Sequence, residues 1–361
     1  MNFAIAAGGT GGHLFPGVAV GEVLIARGHQ VMLIVSEKQI DALATEGRSE
    51  FRIEKVAGVG LQGKSPAALL EFARKFRAGL KQCRALFASF LPRAVLGMGG
   101  FTSLAPILAA RGVGAPSFIH ESNAIFGKAN RLNARLASVV LAGFEETARS
   151  LPNAKCLVTG TPIRSSLAHR LPKAEALAMF GLKADRRTLL VMGGSQGAHG
   201  LNIAVSKSLP MLRERAVQVV HLTGAQDESM MRDAYAEAGL PAFVAPFSQR
   251  MEAAYSAADF CVARSGAASL TELAHFALPA ILVPYPHAAE DHQTANGRIF
   301  ERGGAAVLIP EREMTGNALA EKLAWLDDPA RLAEMSGRAA ALASRDAAER
   351  IADLILERCH A

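Results

Sequence analysis

The chain opens with an apolar segment that ends abruptly in a glycine-rich turn. Phe3–Ala7 has the length of one buried strand, the turn follows from Gly8 to Gly12, and a helical pattern starts near Pro16. A strand, a glycine turn and a helix start direct backbone N–H groups and a positive helix end towards one ligand. The glycines permit a close approach that side chains would block. The opening therefore predicts an anion-binding turn on a parallel α/β sheet.

The same pattern recurs in the second half of the chain. Thr188–Met192 is an apolar strand, Gly193–Ala198 is a second glycine loop, and Leu201–Leu212 is helical. A length of 361 residues suits two domains of about 150–200 residues. We therefore expect an α/β protein with two Rossmann-like domains whose parallel sheets face each other across a cleft. The domains span residues 1–163 and 164–341, and a final helix at about 342–361 is expected to pack back on the first.

Short apolar segments alternate with longer helical patterns through both halves, which indicates parallel sheets. The further predicted strands are 31–35, 94–97, 117–119, 139–141, 217–222, 242–245, 260–263 and 280–283. Several of them end in polar or glycine-rich segments. In an open parallel sheet, ligands bind at these carboxyl ends.

Composition excludes several classes of protein. The four cysteines are scattered without a CxxC pair, which predicts reduced thiols and neither a disulfide framework nor a zinc site. The start lacks the pattern of a signal peptide, and no apolar run approaches the ~18–20 residues of a membrane span. The net charge of +6 favours an anionic partner, which could be a nucleotide, a pyrophosphate, an acidic lipid or a nucleic acid.

Residues 65–90 form a predicted helix in which phenylalanines and leucines alternate with basic residues. One interpretation is a domain helix with a solvated basic face. The other is a helix resting on an anionic membrane surface, with its phenylalanines in the headgroups. Nucleic-acid binding is disfavoured, because no nucleic-acid fold motif accompanies the aromatic residues. The residues expected at a membrane surface are Phe72, Lys75, Phe76, Leu80 and Lys81.

His13 stands at the rim of the first glycine turn, just before the predicted helix. It could simply cap that helix. Alternatively it is a general base, because the positive helix end disfavours the imidazolium and leaves a neutral ring that accepts a proton. A nicotinamide cofactor is disfavoured, because the turn is not a regular GxGxxG and only Glu37 could serve as the ribose ligand.

Polar residues follow several other predicted strands. His120–Asn123 is either an ordinary loop or part of a ligand site, and the glycine turn Gly97–Phe101 could hold an acceptor phosphate. In Arg264–His275, Ser265 or Ser269 could cap a helix with Glu272 in its first turn. Alternatively, backbone N–H groups there bind a diphosphate while Glu272 accepts hydrogen bonds from a ribose.

Asp291 and Gln293 follow another predicted strand, and their side chains suit sugar hydroxyls. A metal cluster of His287, Asp291 and His292 is disfavoured, because no outside ligand is evident and the chain contains no Asp-x-Asp.

Taken together, these segments resemble the MurG family of peptidoglycan N-acetylglucosaminyltransferases, within the GT-B glycosyltransferases. The matching segments are Gly9–Pro16, Gly97–Phe101, His120–Asn123, Gly160–Arg164, Gly193–Ala198, Arg264–Ala267 with Glu272, and Gln293. They occur in the order of the family between residues 8 and 297.

The resemblance implies a role for each matching residue, with His13 as the catalytic base. The implied contacts with UDP-GlcNAc are Thr10, Gly11, Gly12, Asn123, Arg164, Ser195, Ser248, Ala267, Ala268, Ser269, Leu270, Thr271, Glu272 and Gln293. Among them, the backbone at Ser248 contacts uracil, Glu272 binds ribose and Gln293 binds the GlcNAc hydroxyls. The implied contacts with the acceptor diphosphate are Gly11, Gly12, Gly99 and Gly100.

The resemblance also implies the activity. GlcNAc passes with inversion from UDP-GlcNAc to the C4 hydroxyl of the MurNAc-pentapeptide of lipid I, which forms lipid II. The implied enzyme needs no metal and no essential cofactor, although divalent cations could stimulate it. It lies peripherally on the cytoplasmic face of the bacterial inner membrane and partners with cell-wall synthesis and division proteins. The alternatives are a UDP-GlcNAc 2-epimerase or another GT-B enzyme, and a non-enzymatic, basic membrane-surface protein.

Overall fold

The computed structural model describes residues 1–8, 11–36, 48–56, 65–151, 156–194 and 197–360. The chain divides into two compact units: Met1–Ser165 together with Ser344–Ala361, and Ser166–Ala343. The first unit thus ends at Ser165, where the sequence predicts residue 163, and the chain returns to it at Ser344. Each unit is built around one parallel sheet with helices packed on it.

The strands of the first unit are β1 (Asn2–Ala6), β2 (Gln30–Val35), β3 (Arg52–Lys55), β4 (Ala94–Gly97), β5 (Ser117–Glu121), β6 (Val139–Ala142) and β7 (Cys156–Val158). They form a parallel sheet in the order β3-β2-β1-β4-β5-β6-β7. The helices are α1 (Gly11–Ala26), α2 (Pro66–Phe90), α3 (Leu104–Ala110), α4 (Lys128–Leu136) and α5 (Glu145–Arg149).

The central strand β1 is buried on both faces, as expected for a parallel sheet covered by helices. Phe3 and Ile5 belong to one hydrophobic core, while Ala4 and Ala6 belong to the core on the other face. Successive side chains of a strand point to opposite faces, so one continuous apolar run supplies both cores.

The strands of the second unit are β8 (Thr188–Met192), β9 (Gln218–Leu222), β10 (Ala242–Ala245), β11 (Phe260–Ala263), β12 (Ala280–Leu282) and β13 (Ala306–Leu308). They form a parallel sheet in the order β10-β9-β8-β11-β12-β13. The helices are α6 (Lys173–Met179), α7 (His199–Glu214), α8 (Glu228–Ala238), α9 (Met251–Ala257), α10 (Ala267–His275), α11 (His292–Arg302), α12 (Gly316–Leu323) and α13 (Pro329–Ala341).

The last helix, α14 (Ala347–His360), belongs to the first unit and packs on its first helix. Ile351 and Ile355 are buried in the same core as Phe3 and Ile5. The apolar stripe of this terminal helix therefore completes one face of the first sheet.

The strand order reverses at the centre of each sheet. In the first sheet β1 lies between β2 and β4, and in the second sheet β8 lies between β9 and β11. Within each sheet, the loops that follow the two strands at the reversal (β1 and β4, or β8 and β11) lead to opposite faces of that sheet. Open α/β sheets bind ligands at this position, at the carboxyl ends of the strands. The glycine turn after β1 and the glycine loop after β8 both occupy such a position.

Candidate active site

The first glycine turn leads directly into α1. Thr10 lies outside the described residues, and Gly11, Gly12 and His13 are the first three residues of the helix. The helix begins at Gly11, and not near Pro16 as the sequence predicts, so His13 lies within its first turn. Pro16 lies inside the helix, where it is buried with Gly17 and Val18.

The turn after β4 lies beside the His13 ring. Parallel pairing aligns Ala6 with Gly97, which brings the two turns to the same edge of the sheet. A methyl group placed on Gly99 would lie 3.0 Å from Nε2 of His13, and one on Gly100 would lie 3.4 Å from its Cε1. The turn is fixed by Ser103, whose buried hydroxyl donates to the Gly99 carbonyl (2.8 Å) and accepts from its N–H (3.1 Å). His13 and the proposed acceptor glycines therefore share one site.

Gly99 provides a test of this contact. Gly99 has a φ of 113° and Gly28 has a φ of 82°, but no described atom lies within 4 Å of a methyl group placed on Gly28. We expect Gly28→Ala to cost about 1–2 kcal/mol of stability, because it holds an L side chain at positive φ. Gly99→Ala should cost more, because its methyl group would also lie 3.0 Å from Nε2 of His13 and 3.1 Å from Nδ2 of Asn130. Only Gly99→Ala should also lower kcat, by about tenfold or more, because the methyl group displaces His13.

Urea denaturation and steady-state transfer rates of the two variants provide the comparison. Equal kcat values in Gly99→Ala and Gly28→Ala would show that the packing of His13 against this turn is irrelevant to the reaction.

Glu121 is a buried carboxylate at the end of β5 that organises the loop behind His13. Its Oε1 accepts from the backbone N–H (3.0 Å) and from Nδ2 (2.9 Å) of Asn123. Its Oε2 accepts from the N–H of Gly127 (3.2 Å) and from Nδ2 of Asn130 (2.9 Å). Asn133 continues the network, because its Nδ2 donates to Oδ1 of Asn130 and to the carbonyl of Gly100. The carboxylate thus connects Asn123 to the turn that contains Gly99 and Gly100.

His120 is fully buried, and both of its ring nitrogens form hydrogen bonds within the protein. Its Nε2 donates to the Gly160 carbonyl (2.9 Å), so Nδ1 is left to accept from the Ser122 hydroxyl (3.2 Å). Burial lowers the pKa of His120, which keeps the ring neutral. Of the four residues from His120 to Asn123, only Asn123 is partly exposed.

Arg164 lies over an aromatic ring of α1. The centre of its guanidinium group is 4.4 Å from the centroid of the Phe15 ring, a distance typical of a cation–π contact. The same ring lies against Gly11, where an added methyl group would approach it to 3.2 Å. Arg164 therefore lies next to the first turn of α1, within the first unit.

Several described residues that the sequence predicts as donor contacts lie in or beside α10, the helix that follows β11. Ser195 lies outside the described residues, and α7 begins directly after the glycine loop. The α10 helix begins after Gly266, which has no side-chain cap, so neither Ser265 nor Ser269 caps it. Instead, the Ser265 hydroxyl donates to the Gln293 carbonyl at 2.8 Å. The first backbone N–H groups of α10 therefore have no side-chain acceptor from a cap residue, which fits an anionic ligand.

Glu272 lies in the second turn of α10, and not in its first turn as the sequence predicts. Only 9% of its surface is exposed, and its Oε2 accepts a hydrogen bond from the Tyr255 hydroxyl at 2.6 Å. A simple role in complementing the helix dipole is therefore excluded, because that effect acts in the first turn.

The remaining members of the predicted donor set surround α10. Ala267 and Leu270 are buried, and Thr271 donates to the Ala267 carbonyl, whereas Ala268 and Ser269 are partly exposed. The Oε1 atom of Gln293 accepts from the Tyr285 N–H at 2.9 Å, at the end of β12. The Ser248 hydroxyl accepts from the N–H of Arg250 at 3.0 Å, in the segment that precedes α9.

The helix α2 packs part of its apolar surface against the first unit. Phe76 and Leu80 pack against the core of the first unit, and Phe72 lies against Phe76 and Phe101. The most exposed apolar residues of α2 are instead Leu70 (74%) and Leu69 (48%). This packing agrees with the interpretation of α2 as a domain helix with a solvated basic face, and contact of its phenylalanines with a membrane surface stays a prediction.

Sequence reasoning missed two groups of residues. Asn130 and Asn133 lie on one face of α4, and their spacing of three residues was a usable signal. Tyr255 gave no signal, because its partner Glu272 is brought near it only by the packing of α9 and α10. Within the described ranges, no cluster of His, Cys, Asp and Glu side chains could hold a metal ion.

Two parallel-sheet units with glycine loops at their central strands are typical of the GT-B fold, to which many glycosyltransferases belong. Residues 3–142 match the model of the glycosyltransferase family 28 N-terminal domain, and residues 188–351 match that of its C-terminal domain. A protein of Geobacter sulfurreducens named UDP-N-acetylglucosamine–N-acetylmuramyl-(pentapeptide) pyrophosphoryl-undecaprenol N-acetylglucosamine transferase is 39% identical, covering 98% of this chain and 97% of its own. The chain belongs to this family of N-acetylglucosamine transferases.

Solved structures agree on the fold. The crystal structure of Acinetobacter baumannii MurG superposes with a TM-score of 0.79 at 29% identity, covering 99% of both chains. A UDP-GlcNAc 2-epimerase of Neisseria meningitidis superposes with a TM-score of 0.71 at 15% identity, covering 99% of this chain and 100% of its own. The second likeness concerns the fold alone. The predicted fold class and transferase family are confirmed.

Proposed function

We propose that this chain transfers GlcNAc from UDP-GlcNAc to the C4 hydroxyl of the MurNAc-pentapeptide of lipid I and so forms lipid II for peptidoglycan synthesis. The observation that carries the proposal is the 39% identity with a transferase named for this reaction, over nearly the full length of both chains. The presence of His13 beside the glycine turns Gly99 and Gly100 gives the proposal a chemical basis.

In the first unit, His13 accepts the proton of the acceptor hydroxyl as its oxygen attacks C1 of GlcNAc. The bond between C1 and the diphosphate oxygen breaks with its electron pair on UDP, so the configuration at C1 inverts. A positioned general base contributes about 10²–10⁴-fold to such a step. Thr10, Gly11, Gly12, Gly99 and Gly100 are the proposed diphosphate contacts, while Asn123 and Arg164 contact the donor.

In the second unit, the donor lies at the ends of β8 and β11. Ser195 and the N–H groups of Ala267–Leu270 bind the departing diphosphate, since helix N-termini stabilise negative charge. Ser248 reads uracil through its backbone, Glu272 binds ribose and Gln293 binds the GlcNAc hydroxyls. In this arrangement, backbone dipoles stabilise the negative charge of the departing diphosphate. We therefore propose that no cofactor is essential and that divalent cations at most increase the rate of transfer.

The product and the rival activity can be measured in one assay. With UDP-GlcNAc and a lipid I analogue, mass spectrometry should show a product heavier by one N-acetylhexosamine unit. A UDP-GlcNAc 2-epimerase shares this fold, so epimerisation is the rival candidate that the same assay tests. Formation of UDP-ManNAc in place of the glycosylated lipid would support that candidate and contradict the transfer.

We also propose a peripheral position on the cytoplasmic face of the bacterial inner membrane, with cell-wall synthesis and division proteins as further partners. Within the described ranges, the helices lack the length and apolar composition of a membrane span. Leu69 and Leu70 project from the start of α2, and Arg74, Arg77 and Lys81 are exposed further along it. Exposed leucines beside basic residues suit an anionic lipid surface, which attracts each cation with about 1 kcal/mol.

Leu70→Glu is expected to weaken binding to vesicles containing phosphatidylglycerol by about tenfold, because a buried leucine contributes about 1.5–3 kcal/mol. The matched control is Leu91→Glu, since Leu91 is 63% exposed at the other end of α2, about 30 Å away along the helix axis. Vesicle co-sedimentation measures both variants. If both variants lose vesicle binding equally, or if neither loses it, the start of α2 is excluded as the membrane contact.

A further inference from the structure

Tyr255 joins two segments of the proposed donor site without a role in the reaction described above. It lies on α9, which follows the segment of Ser248, and its hydroxyl reaches Glu272 on α10. The oxygen-to-oxygen distance is 2.6 Å, and the exposed fractions are 2% for Tyr255 and 9% for Glu272. A short hydrogen bond from a hydroxyl to a carboxylate is among the stronger kinds in proteins.

We infer that Tyr255 is a positioning residue: its hydroxyl holds Oε2 of Glu272 so that the carboxylate is oriented to accept hydrogen bonds from the ribose hydroxyls of the donor. This inference rests on the proposed ribose contact of Glu272. A buried carboxylate needs several donors, because an unsatisfied acceptor costs free energy. Tyr255 supplies one donor permanently, and the ribose supplies further donors when the nucleotide binds.

The ring of Tyr255 is held independently of its hydroxyl. It stacks on Phe276 with the ring centroids 5.0 Å apart and the planes at 26°. Arg170 covers Phe276 at 5.6 Å and donates to the carbonyl of His275, at the end of α10. The hydroxyl also lies 3.5 Å from the sulfur of Met192, the last residue of β8. The packing of the second unit, and not the ligand, therefore sets the position of the hydroxyl.

This geometry assigns Tyr255 to one part of the nucleotide. The Tyr255 hydroxyl donates to the carboxylate of Glu272, which is proposed to bind ribose. Removal of this hydroxyl should therefore affect the binding of ribose before that of the other parts of the nucleotide. Since binding of ribose is the same in substrate and transition state, the loss should appear in KM and not in kcat.

The test compares UDP with 2′-deoxy-UDP as ligands of Tyr255→Phe, which keeps the ring and removes only the hydroxyl. In the wild type, UDP should bind about tenfold more tightly than 2′-deoxy-UDP, since a hydrogen bond to a charged group is lost. In Tyr255→Phe this ratio should fall to about twofold, and KM for UDP-GlcNAc should rise about tenfold while kcat stays within about twofold. Isothermal titration calorimetry and initial rates provide these values.

Tyr235→Phe is the matched control. Tyr235 is also 2% exposed in the second unit, and its hydroxyl donates to Nδ1 of His221 at 2.9 Å. This variant loses a buried hydroxyl of the same kind, so it should lose stability without any change in the ratio of UDP to 2′-deoxy-UDP affinity.

Glu272→Gln separates the two ways in which the inference could fail. If the ratio falls in Glu272→Gln but stays at the wild-type value in Tyr255→Phe, the ribose contact stands and the positioning role of Tyr255 is overturned. If the ratio is unchanged in Glu272→Gln, the proposed ribose contact itself is wrong and the inference falls with it. A fall in Tyr235→Phe equal to that in Tyr255→Phe would also overturn the inference, because a general loss of packing would then explain both.

Discussion

His13→Ala is expected to lower kcat by about 10²–10⁴-fold while leaving the dissociation constant of UDP-GlcNAc near its wild-type value. The imidazole lies in the first turn of α1, beside the Gly99 and Gly100 turn that is proposed for the acceptor. A base at this position acts on the acceptor hydroxyl and leaves the nucleotide contacts of the second unit untouched. Rates at saturating lipid I analogue and calorimetric titration with UDP-GlcNAc measure the two quantities.

His29→Ala is the matched control for this prediction. His29 belongs to the same unit but precedes β2, at the amino edge of the sheet, where it packs edge-on against Phe3 at 5.3 Å. This variant should keep its kcat. If His13→Ala instead weakens donor binding strongly while its kcat at saturation survives, His13 is a binding residue and not the base.

Glu121→Gln is expected to destabilise the first unit by about 2–4 kcal/mol and to lower kcat/KM. The carboxylate accepts four hydrogen bonds from Asn123, Gly127 and Asn130. An amide presents two hydrogens where the carboxylate presented acceptors, so buried donors lose their partners at about 1–3 kcal/mol each. The displaced loop carries Asn123, which is proposed to contact the donor, and it supports the Gly100 turn through Asn133.

Glu145→Gln is the control here, since Glu145 is exposed and pairs with Arg149 one helical turn away. An exposed pair of this kind contributes about 0.3–0.5 kcal/mol, so the variant should be nearly neutral. Urea denaturation and initial rates report both effects. A Glu121→Gln protein as stable and active as Glu145→Gln would show that the buried carboxylate does not organise the site.

Much of the fold was predictable from the sequence, because its central strands are continuous apolar runs followed by glycine. The strands 94–97, 188–192, 242–245 and 260–263 occur at the predicted residues. The strands that were not predicted are β3, β7 and β13, and all three lie at sheet edges. Edge strands are short and β3 is charged, with the sequence Arg-Ile-Glu-Lys, which a search for apolar runs does not detect.

The candidate site was predictable only where its residues belong to local motifs. The sequence predicts a glycine turn after the first strand of each half, but the reversal of strand order at those strands is known only from the structure. The contact of His13 with Gly99 and the contact of Tyr255 with Glu272 could not be predicted, because they depend on tertiary packing over 86 and 17 residues (99 − 13 and 272 − 255). The apolar residues of α2 that the core takes depend on the same kind of packing, since a basic amphipathic pattern does not specify them.

The central claim is transfer of GlcNAc to the C4 hydroxyl of the lipid-linked muramic acid unit. The most direct test measures release of UDP from UDP-GlcNAc with a lipid I analogue, without an acceptor, and with the same analogue lacking the C4 hydroxyl. We predict UDP release and a glycosylated product only in the reaction that contains the lipid I analogue with its C4 hydroxyl. Equal UDP release without an acceptor or with the 4-deoxy analogue would contradict the claim.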